Sequence, residues 1–164
     1  MNVVMDACSV INLQNGGVLE IVCSLVAINV QIGPIAGGEC SEELAETLAV
    51  LHDAGLIQYL TDTPLDADMF LKFVDEHRLG DGEAECIMLA DLDAETMVCC
   101  DDMRGRRKAQ AILGEERIVG SIGLLKRAVA HDLISGPQAF ASYELMKAAG
   151  GFLPDFDNEY FETL

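Results

Sequence analysis

The sequence predicts an α/β protein in which helices cover both faces of a parallel sheet. Short apolar runs alternate along the chain with longer stretches in which apolar residues recur every three or four positions. Short runs of this kind are typical of buried strands, and the longer stretches are typical of helices. Strands that alternate with helices favour parallel pairing, in which the crossovers are nearly always right-handed.

Five apolar runs are the predicted strands. The first, NVVM, contains no charge, and the second, AINVQI, is closed by a Gly-Pro pair. LIQYL follows the glycine that ends a helix, TMVCC directly precedes two aspartates, and RIVG is the last. In chain order the predicted strands are residues 2–5, 27–32, 56–60, 96–100 and 117–120.

The helices are predicted from apolar spacing and from residues that favour helix ends. Residues 41–55 are the clearest case, with Ser41 as the N-cap, acids in the first turn and Gly55 as the stop. Pro64 is expected to begin another helix, and Asp81 is expected to cap the one after it. The predicted helices begin at about Ser9 and then cover residues 41–55, 64–77, 80–93, 104–113, 121–132 and 137–150, with a short helical turn or a loop at the end of the chain.

The chain has 164 residues, a length that suits one domain with a sizeable buried core. Its 28 acidic residues against 10 lysines and arginines give a net charge of −18. This charge disfavours general attraction to nucleic acids and to anionic membranes. A polyanion could bind only at a local basic patch or through bound cations. The acidity could alternatively reflect a salty cytoplasm or a need for solubility.

The six cysteines show no zinc-like spacing, and most lie in apolar runs, where cysteine behaves as a small hydrophobe. We expect reduced thiols, with neither zinc nor disulfides. The first ten residues lack the basic segment of a signal peptide and carry an acid early. No uninterrupted apolar stretch approaches the ~18 residues of a membrane span. We therefore expect a soluble, cytoplasmic protein with no membrane partner.

Acidic residues follow several predicted strands or open the helices beside them. In a parallel α/β sheet, ligands bind outside the carboxyl ends of the strands, so acids at that edge are the informative ones. A carboxylate cluster without a cation would raise the pKa values of its members by mutual repulsion. Oxygen-only ligands suit Mg²⁺ or Mn²⁺, which can activate water and hold phosphate oxygens. The candidate ligands are Asp6, Glu39, Glu83 and Asp101, with Asp102 beside the last.

Each of these acids also has a structural explanation. Acids at predicted helix starts, among them Glu83, Asp101 and Asp102, stabilise the helix dipole without binding any ligand. Asp6 is harder to explain in this way, because an aspartate that ends a buried strand needs partners or a metal ion. Glu39 has two acidic neighbours in the next helix that could serve instead of it.

Four cations within five residues follow the two aspartates, at the helix end where cations are unfavourable. They could hold a substrate phosphate beside the metal, and arginine can do so through two hydrogen bonds. Arg106 and Arg104 are the candidate contacts. The alternative is that Arg106 pairs with Asp102 one helical turn earlier and the other cations face solvent. Ser9 could support a phosphate or a water, but capping of the first helix explains it equally well.

Four motifs resemble those of the PIN-domain family. They are VVMDACSVINL, LGDGEAECIMLA, VCCDDMRGRRKA and RIVGSIGLLKRAV, and they span most of residues 1–135 in the family's order. The resemblance is to the bacterial and archaeal subgroup of toxin-type or orphan ribonucleases. It implies a three-layer fold with a twisted parallel sheet of four or five strands flanked by helices. Residues 1–164 are then one PIN-like domain, with 137–164 as a C-terminal helical extension.

The resemblance also implies an Mg²⁺- or Mn²⁺-dependent hydrolase that cuts the phosphodiester backbone of RNA. Asp6 matches the first-strand acid, Glu83 the acid that opens the later helix, and Asp101 the acid after the following strand. Glu39 lies near the family's second acid, although its surroundings, GPIAGGEC, follow the pattern only loosely. Arg106 matches the arginine of the family's DDxxGR motif. In the family, members often pair with a small antitoxin, and many dimerise.

The main hypothesis is a metal-dependent endoribonuclease acting on RNA, with a toxin role, an antitoxin partner and a homodimer implied by the resemblance. The alternative is a catalytically inactive PIN-like module that uses the fold for association with other proteins. A third hypothesis is an unrelated small α/β hydrolase or regulatory domain in which the acids serve only as helix caps.

Overall fold

A five-stranded parallel sheet forms the centre of the protein. The computed structural model describes residues 1–60 and 64–162. The strands are β1 (Asn2–Met5), β2 (Asn29–Ile32), β3 (Ile57–Tyr59), β4 (Met97–Cys99) and β5 (Ile118–Val119). They lie in the order β3–β2–β1–β4–β5, and every neighbouring pair is parallel. The predicted α/β fold, with four or five parallel strands flanked by helices, is confirmed.

The middle strand, β1, pairs with β2 on one side and with β4 on the other. Val3, Val4 and Met5 are fully buried, because helices cover both faces of the sheet. Val3 and Met5 belong to one apolar core and Val4 belongs to the other, as the alternating side-chain directions of a strand require. The residue that follows β1, Asp6, therefore lies at the middle of the sheet's carboxyl edge.

Ten α-helices lie within the described residues and form the two outer layers. They are α1 (Ala7–Asn15), α2 (Leu19–Cys23), α3 (Pro34–Gly38), α4 (Glu42–Asp53), α5 (Ala67–His77), α6 (Asp81–Asp91), α7 (Met103–Leu113), α8 (Ser121–Ala130), α9 (Gly136–Ala148) and α10 (Glu159–Glu162), with a 3-10 turn at Glu115–Arg117. Helices α1, α2, α4, α8, α9 and α10 supply one core. Helices α3, α5, α6 and α7 supply the other.

The structure corrects the predicted starts of two helices. Helix α1 begins before Ser9, because Asp6 is its N-cap and accepts a hydrogen bond from the Ser9 backbone N–H. Asp66 caps α5 in the same way, so that helix begins at Ala67 rather than at Pro64. In both places an aspartate whose side chain accepts an N–H three residues later sets the boundary.

Helix α6 has a different cap from the predicted one, whereas α4 agrees with the prediction. Gly80 is the N-cap of α6 and Asp81 is its first helical residue, because the Glu83 side chain bonds back to the Gly80 N–H. Ser41 caps α4 as predicted, by accepting the N–H three residues later. Helix α3 was not predicted, since its five residues are too few to display a helical apolar period.

The segment that follows α8 packs against the same core as the helices before it. Tyr143, Met146 and Phe161 are almost fully buried. The Tyr143 hydroxyl donates to the Pro154 C=O (2.8 Å) and accepts from the Phe156 N–H (3.0 Å). The division of the chain into a core and an extension over 137–164 stays a prediction, and residues 163–164 of that extension lie outside the described residues.

The six cysteines carry free thiols. Cys23, Cys86, Cys99 and Cys100 are buried, Cys40 is half-buried and Cys8 is exposed. Within residues 1–60 and 64–162, no helix is both long enough and apolar enough to cross a membrane.

Candidate active site

Asp6, at the carboxyl end of the central strand, is the most buried of the candidate acids, with 3 % of its surface exposed. Its Oδ1 accepts a hydrogen bond from the Ser9 N–H at 2.7 Å. Its Oδ2 is buried and has no hydrogen-bond partner among the described residues. Because burying a carboxylate oxygen without a partner is costly, this atom calls for a proton or a cation.

The surroundings of Asp6 oppose its ionisation. Burial is the largest effect and raises the pKa of Asp6 from 3.8 to about 6, although the neighbouring Cys100 thiol and the Ser9 hydroxyl and N–H favour the ionised carboxylate. The negative charge of Asp101 contributes to the rise. A cation bound beside the carboxylate would favour the ionised form and lower the pKa again.

Glu83 lines the same small cavity as Asp6, and this cavity has no room for a water-sized group. Its Oε2 accepts a hydrogen bond from the Gly80 N–H at 3.1 Å. A Cβ added at Gly105 would lie 2.6 Å from Oε1 of Glu83, so the glycine leaves the room that this carboxylate occupies. Burial raises the pKa of Glu83, and the nearby carboxylate of Asp102 raises it further. Two carboxylates with raised pKa values therefore border one cavity.

Asp101 follows β4 and joins three elements at the edge of the sheet. Its Oδ2 accepts a hydrogen bond from the Asn12 side-chain amide at 2.8 Å. Its Oδ1 accepts one from the Ser121 backbone N–H, also at 2.8 Å. The aspartate thereby holds α1 and the start of α8 against the end of β4. Each of its oxygens already has one protein partner and keeps a second lone pair.

Asp102 and Glu39 lie at the periphery of this edge. Oδ1 of Asp102 accepts the N–H groups of Arg104 and Gly105 at 2.8 Å each, so Asp102 is the N-cap of α7. Glu39 is exposed at the end of α3. A Cβ added at Gly82 would lie 2.8 Å from Oε1 of Glu39, so this carboxylate rests against the first turn of α6.

The electrostatics of Cys8 indicate how closely the acids are gathered. Partial burial, together with the charges of Asp6, Asp102, Asp101 and Glu39, raises the pKa of its thiol to about 11. The chain thus brings these acids to one edge of the sheet. In the part of the chain that the structure describes, however, no three His, Cys, Asp or Glu side chains are grouped closely enough to hold a metal ion.

The donor types at this edge fit a divalent cation. Oδ2 of Asp6 is a buried carboxylate oxygen without a partner, and Glu83 is the other carboxylate at the same cavity, which the thiols of Cys86 and Cys100 also line. Oxygen donors of this kind suit Mg²⁺ or Mn²⁺. Asp101 could join such a site only with the lone pairs that Asn12 and Ser121 leave free.

Arg106 lies beside Asp101. Its Nη1 donates to the Cys100 C=O at 3.3 Å. A Cβ added at Gly120 would lie 3.1 Å from Nη1 of Arg106 and 2.8 Å from Oδ1 of Asp101, so both side chains border the same glycine. Among the described residues the ion pair between Arg106 and Asp102, the alternative interpretation of the sequence, is not formed.

Neither Arg104 nor Ser9 is placed to contact a phosphate, because Arg104 bonds to a backbone carbonyl and Ser9 is buried. The Arg104 guanidinium donates to the C=O of Arg78, the C-cap residue of α5. Its positive charge nevertheless lowers the pKa of Glu83. Ser9 is fully buried, and its hydroxyl has no hydrogen-bond partner among the residues described. Ser9 does not cap the first helix, because Asp6 does.

Three polar residues that the sequence analysis did not single out also belong to this region. Asn12 holds Asp101, Ser121 carries a buried hydroxyl without a partner in the described structure, and Glu85 is a fully buried carboxylate at the start of α3. The spacing of Asp6, Ser9 and Asn12 was the available signal for the first of them, since polar residues three apart share one helix face. For Glu85 the signal was an acid placed directly before the apolar run CIMLA.

Two open grooves meet at Asp101. The first, of about 260 Å³, runs along α1 and is lined by Asn12 and by the exposed Phe152. The second, of about 320 Å³, runs along β5 and α8 and is lined by Arg106 and Tyr160. Both grooves are open to solvent, and a chain-like ligand could therefore pass over Asp101 from one to the other.

An open parallel sheet with carboxylates at the carboxyl ends of its central strands defines an α/β protein with an acidic ligand-binding edge. A family model described as a PIN domain matches residues 2–156, and the chain belongs to the PIN-domain family. The resemblance stated from the sequence motifs is thereby confirmed. PIN domains are generally nucleases that use divalent metal ions. Comparison with the curated proteins and with the solved structures gave no significant match.

Proposed function

We propose that the protein is a metal-dependent endoribonuclease that hydrolyses the phosphodiester bonds of RNA. The observation that supports this most strongly is Oδ2 of Asp6, a buried carboxylate oxygen at the middle of the sheet's carboxyl edge that has no partner in the described structure. A divalent cation would satisfy this atom, and such an ion acts on phosphate esters. Membership of a family of nucleases agrees with this chemistry.

In this proposal Asp6, Glu83 and Asp101 would hold the ion after their side chains move closer together than they lie in the described structure, and Glu39 and Asp102 would add negative charge at the periphery. The bound cation supplies Lewis-acid activation of water and charge neutralisation at the phosphate. Asn12 orients the carboxylate of Asp101 through its amide hydrogen bond. Ser9 orients Asp6 through its backbone N–H. Arg106, which borders the same glycine as Asp101, binds the substrate phosphate.

The test is cleavage of single-stranded RNA in Mn²⁺ or Mg²⁺ by the wild type and by Asp6→Asn. Asparagine is as good an N-cap as aspartate, so the start of α1 should be retained while a charged ligand is lost. Changes in the second shell of a metal site already cost 10–100-fold in activity, so loss of a direct ligand should cost about 100-fold or more. Chelation of the metal should abolish the activity of the wild type.

The matched control is Asp66→Asn. Asp66 is also the N-cap of a helix and also accepts an N–H three residues later, but it lies exposed at the start of α5. This variant should cleave RNA at the wild-type rate. Equal cleavage by the wild type and Asp6→Asn would refute the assignment of Asp6.

A second candidate function is association with other proteins through a PIN-like fold that has no nuclease activity. The observation that favours it is Asp101, both of whose oxygens already accept hydrogen bonds from Asn12 and Ser121. This candidate predicts that the purified protein cleaves no RNA in Mn²⁺ or Mg²⁺, and that Asp6→Asn changes neither RNA binding nor association with a partner.

A toxin role, an antitoxin partner and a homodimer are further parts of the proposal, and they rest on the family alone. If the protein acts as a toxin, its production in a host cell should arrest growth, and Asp6→Asn should relieve the arrest. The mass of the purified protein in solution tests for the homodimer. A cytoplasmic location is proposed on the same basis and is tested by cell fractionation.

A further inference from the structure

We propose that Phe152 stacks against an unpaired nucleobase of the RNA substrate, in the groove beside Asp101. This inference rests on the proposed ribonuclease function and extends it to the class of substrate, which is single-stranded RNA. Three features of Phe152 support the inference: its exposure, the way the backbone holds it, and its connection to Asp101.

Phe152 is displayed at the centre of a tight turn. The Leu153 N–H donates to the Gly151 C=O at 3.0 Å, which closes a three-residue turn around Phe152. The ring is 87 % exposed, although phenylalanine is a residue that folded proteins usually bury. The turn therefore holds a large aromatic face open to solvent instead of packing it against the core.

The backbone on either side of Phe152 is anchored. The Tyr143 hydroxyl bonds to the Pro154 C=O and to the Phe156 N–H. Lys147 and Asp155 form an ion pair across the same segment. On the other side, the Gly151 N–H donates to the C=O of Met146 at the end of α9. Because the segment is held at several points, the ring is presented in a fixed place and a partner would lose little conformational freedom on stacking against it.

The same segment touches the residue that orients Asp101. A Cβ added at Gly151 would lie 2.7 Å from the side-chain oxygen of Asn12, so the backbone passes directly against that amide. The nitrogen of the Asn12 amide donates to Asp101. Phe152 directly follows Gly151, which contacts Asn12, the residue that orients Asp101. Phe152 also lines one groove with Asn12 and Asp101.

The chemistry of the groove selects a base rather than a phosphate as the group that contacts Phe152. Asp102, which is outside the set of residues proposed to hold the ion, lines this groove together with Asp101 and would repel a phosphate. A neutral aromatic base can stack there, while its phosphate turns toward Arg106 in the second groove. A groove of about 260 Å³ is small compared with sites for drug-sized ligands, and it suits one base. Bases of a duplex are already stacked, so only an unpaired base can use this surface.

The experiment measures binding and cleavage separately. Binding is followed with a short single-stranded oligoribonucleotide that carries one 2-aminopurine, in Mn²⁺, with Asp6→Asn and with the double variant Asp6→Asn/Phe152→Ala. Removal of an aromatic stacking partner costs about 1–3 kcal/mol per base, so Phe152→Ala should weaken binding about 5- to 150-fold. Stacking should also quench 2-aminopurine fluorescence, and Phe152→Ala should remove that quenching.

Three controls define the specificity of the effect. Phe152→Trp should retain the affinity and the quenching, because it keeps an aromatic face. Leu92→Ala removes another exposed apolar side chain, 60 % exposed after α6 and outside both grooves, and it should bind as the parent does. The same RNA annealed to its complement should bind with no dependence on Phe152.

Cleavage distinguishes failure of this inference from failure of the proposed function. If the wild type cleaves RNA and Phe152→Ala cleaves it with unchanged KM and kcat, the proposed function stands and the role of Phe152 is refuted. If no variant cleaves RNA but binding and quenching depend on Phe152, the nuclease proposal fails and the stacking site stands. Equal RNA binding with and without Phe152 would overturn the inference.

Discussion

At the scale of single residues, Asp6 combines a stabilising contact with a costly one. Oδ1 satisfies an N–H at the start of α1, whereas Oδ2 is buried without a partner in the described structure. The first contact favours the folded state, and the buried charge disfavours it. Stability in the absence of metal should therefore depend on whether Asp6 is ionised.

We predict that the metal-free wild type loses more stability than Asp6→Asn as the pH rises from about 4 to about 6. Burial raises the pKa of Asp6 from 3.8 to about 6, so the folded state binds this proton more tightly than the unfolded state does. The resulting stabilisation is complete below about pH 4 and is lost through about pH 6. A rise of this size corresponds to about 3 kcal/mol, which sets the expected gain of Asp6→Asn at pH 8.

The measurement is urea unfolding of both proteins in a chelating buffer at several pH values. Parallel pH profiles for the two proteins would contradict the prediction. Addition of Mn²⁺ at pH 8 should then raise the free energy of unfolding of the wild type and leave that of Asp6→Asn unchanged, because only a ligand that binds the folded state stabilises it.

The candidate acids of the site could be predicted from the sequence, but their hydrogen-bond partners could not. Asp6 was recognised because a charge at the end of a buried strand requires an explanation, and its burial agrees with that argument. Asn12 and Ser121 bind Asp101 from other elements of the chain. Such long-range contacts depend on how helices pack, and a single sequence does not reveal them.

At the scale of the elements, Glu85 holds the short helix α3 in place. Its carboxylate accepts the N–H groups of Ile35 (3.0 and 3.1 Å) and Ala36 (2.9 Å), which are orphan donors at a helix start. A Cβ added at Gly33 would lie 2.3 Å from this carboxylate, so a glycine is required there. Glu85 belongs to α6 and is fully buried. Glu39 directly follows α3, the helix that Glu85 holds.

We predict that Glu85→Ala lowers the free energy of unfolding by about 3–5 kcal/mol. The change leaves two N–H groups without their acceptor and opens a cavity, and removal of one member of a buried charged contact has this magnitude of effect. Glu85→Gln should cost less, since its side-chain oxygen can still accept one of the two hydrogen bonds. The measurement is urea unfolding at neutral pH.

The matched control for Glu85 is Glu46→Ala. Glu46 lies exposed in the middle of α4, where alanine is a favourable helix residue. This variant should unfold within about 0.5 kcal/mol of the wild type. A loss for Glu85→Ala that is no larger than the loss for Glu46→Ala would show that α3 does not depend on the buried carboxylate.

The elements themselves could largely be predicted, but their starts could not. All five strands were found, because each is a short apolar run between polar or glycine-containing segments. The predicted start of α1 was too late and that of α5 was too early, because the sequence alone did not identify Asp6 and Asp66 as N-caps. Helix α3 depends on Glu85, fifty residues further along the chain, and no local pattern predicts a contact of that kind.

At the scale of the whole molecule, alternation of strands and helices was sufficient to predict the fold class, and four motifs were sufficient for the family. The strand order β3–β2–β1–β4–β5 did not follow from these patterns, because it depends on the direction in which each crossover turns. This order brings the ends of β1, β4 and β5 together. Asp101, which follows β4, accepts a hydrogen bond from the N–H of Ser121, which follows β5.

The net charge of −18 is a property of the whole chain that lowers its stability through repulsion. We predict that the free energy of unfolding rises with KCl at neutral pH by about 1 kcal/mol or more, or about 2–4 °C in Tm for a chain of this size. The physical reason is that salt screens repulsion among the 28 acids, which only 10 lysines and arginines offset. Most of the gain should come between about 0.01 and 0.15 M KCl, where the Debye length falls from about 30 to about 8 Å.

That concentration range distinguishes screening from a salting-out effect, which would continue to grow above 1 M. Thermal unfolding across a KCl series in a chelating buffer provides the measurement, and a matched series of sucrose concentrations controls for exclusion of cosolute from the surface. A Tm that stays constant below 0.15 M and rises only in molar salt would mean that the acids are spaced widely enough to tolerate one another. The charge would then act on solubility and on the approach of RNA, and the metal ion and Arg106 alone would have to overcome the repulsion of the substrate.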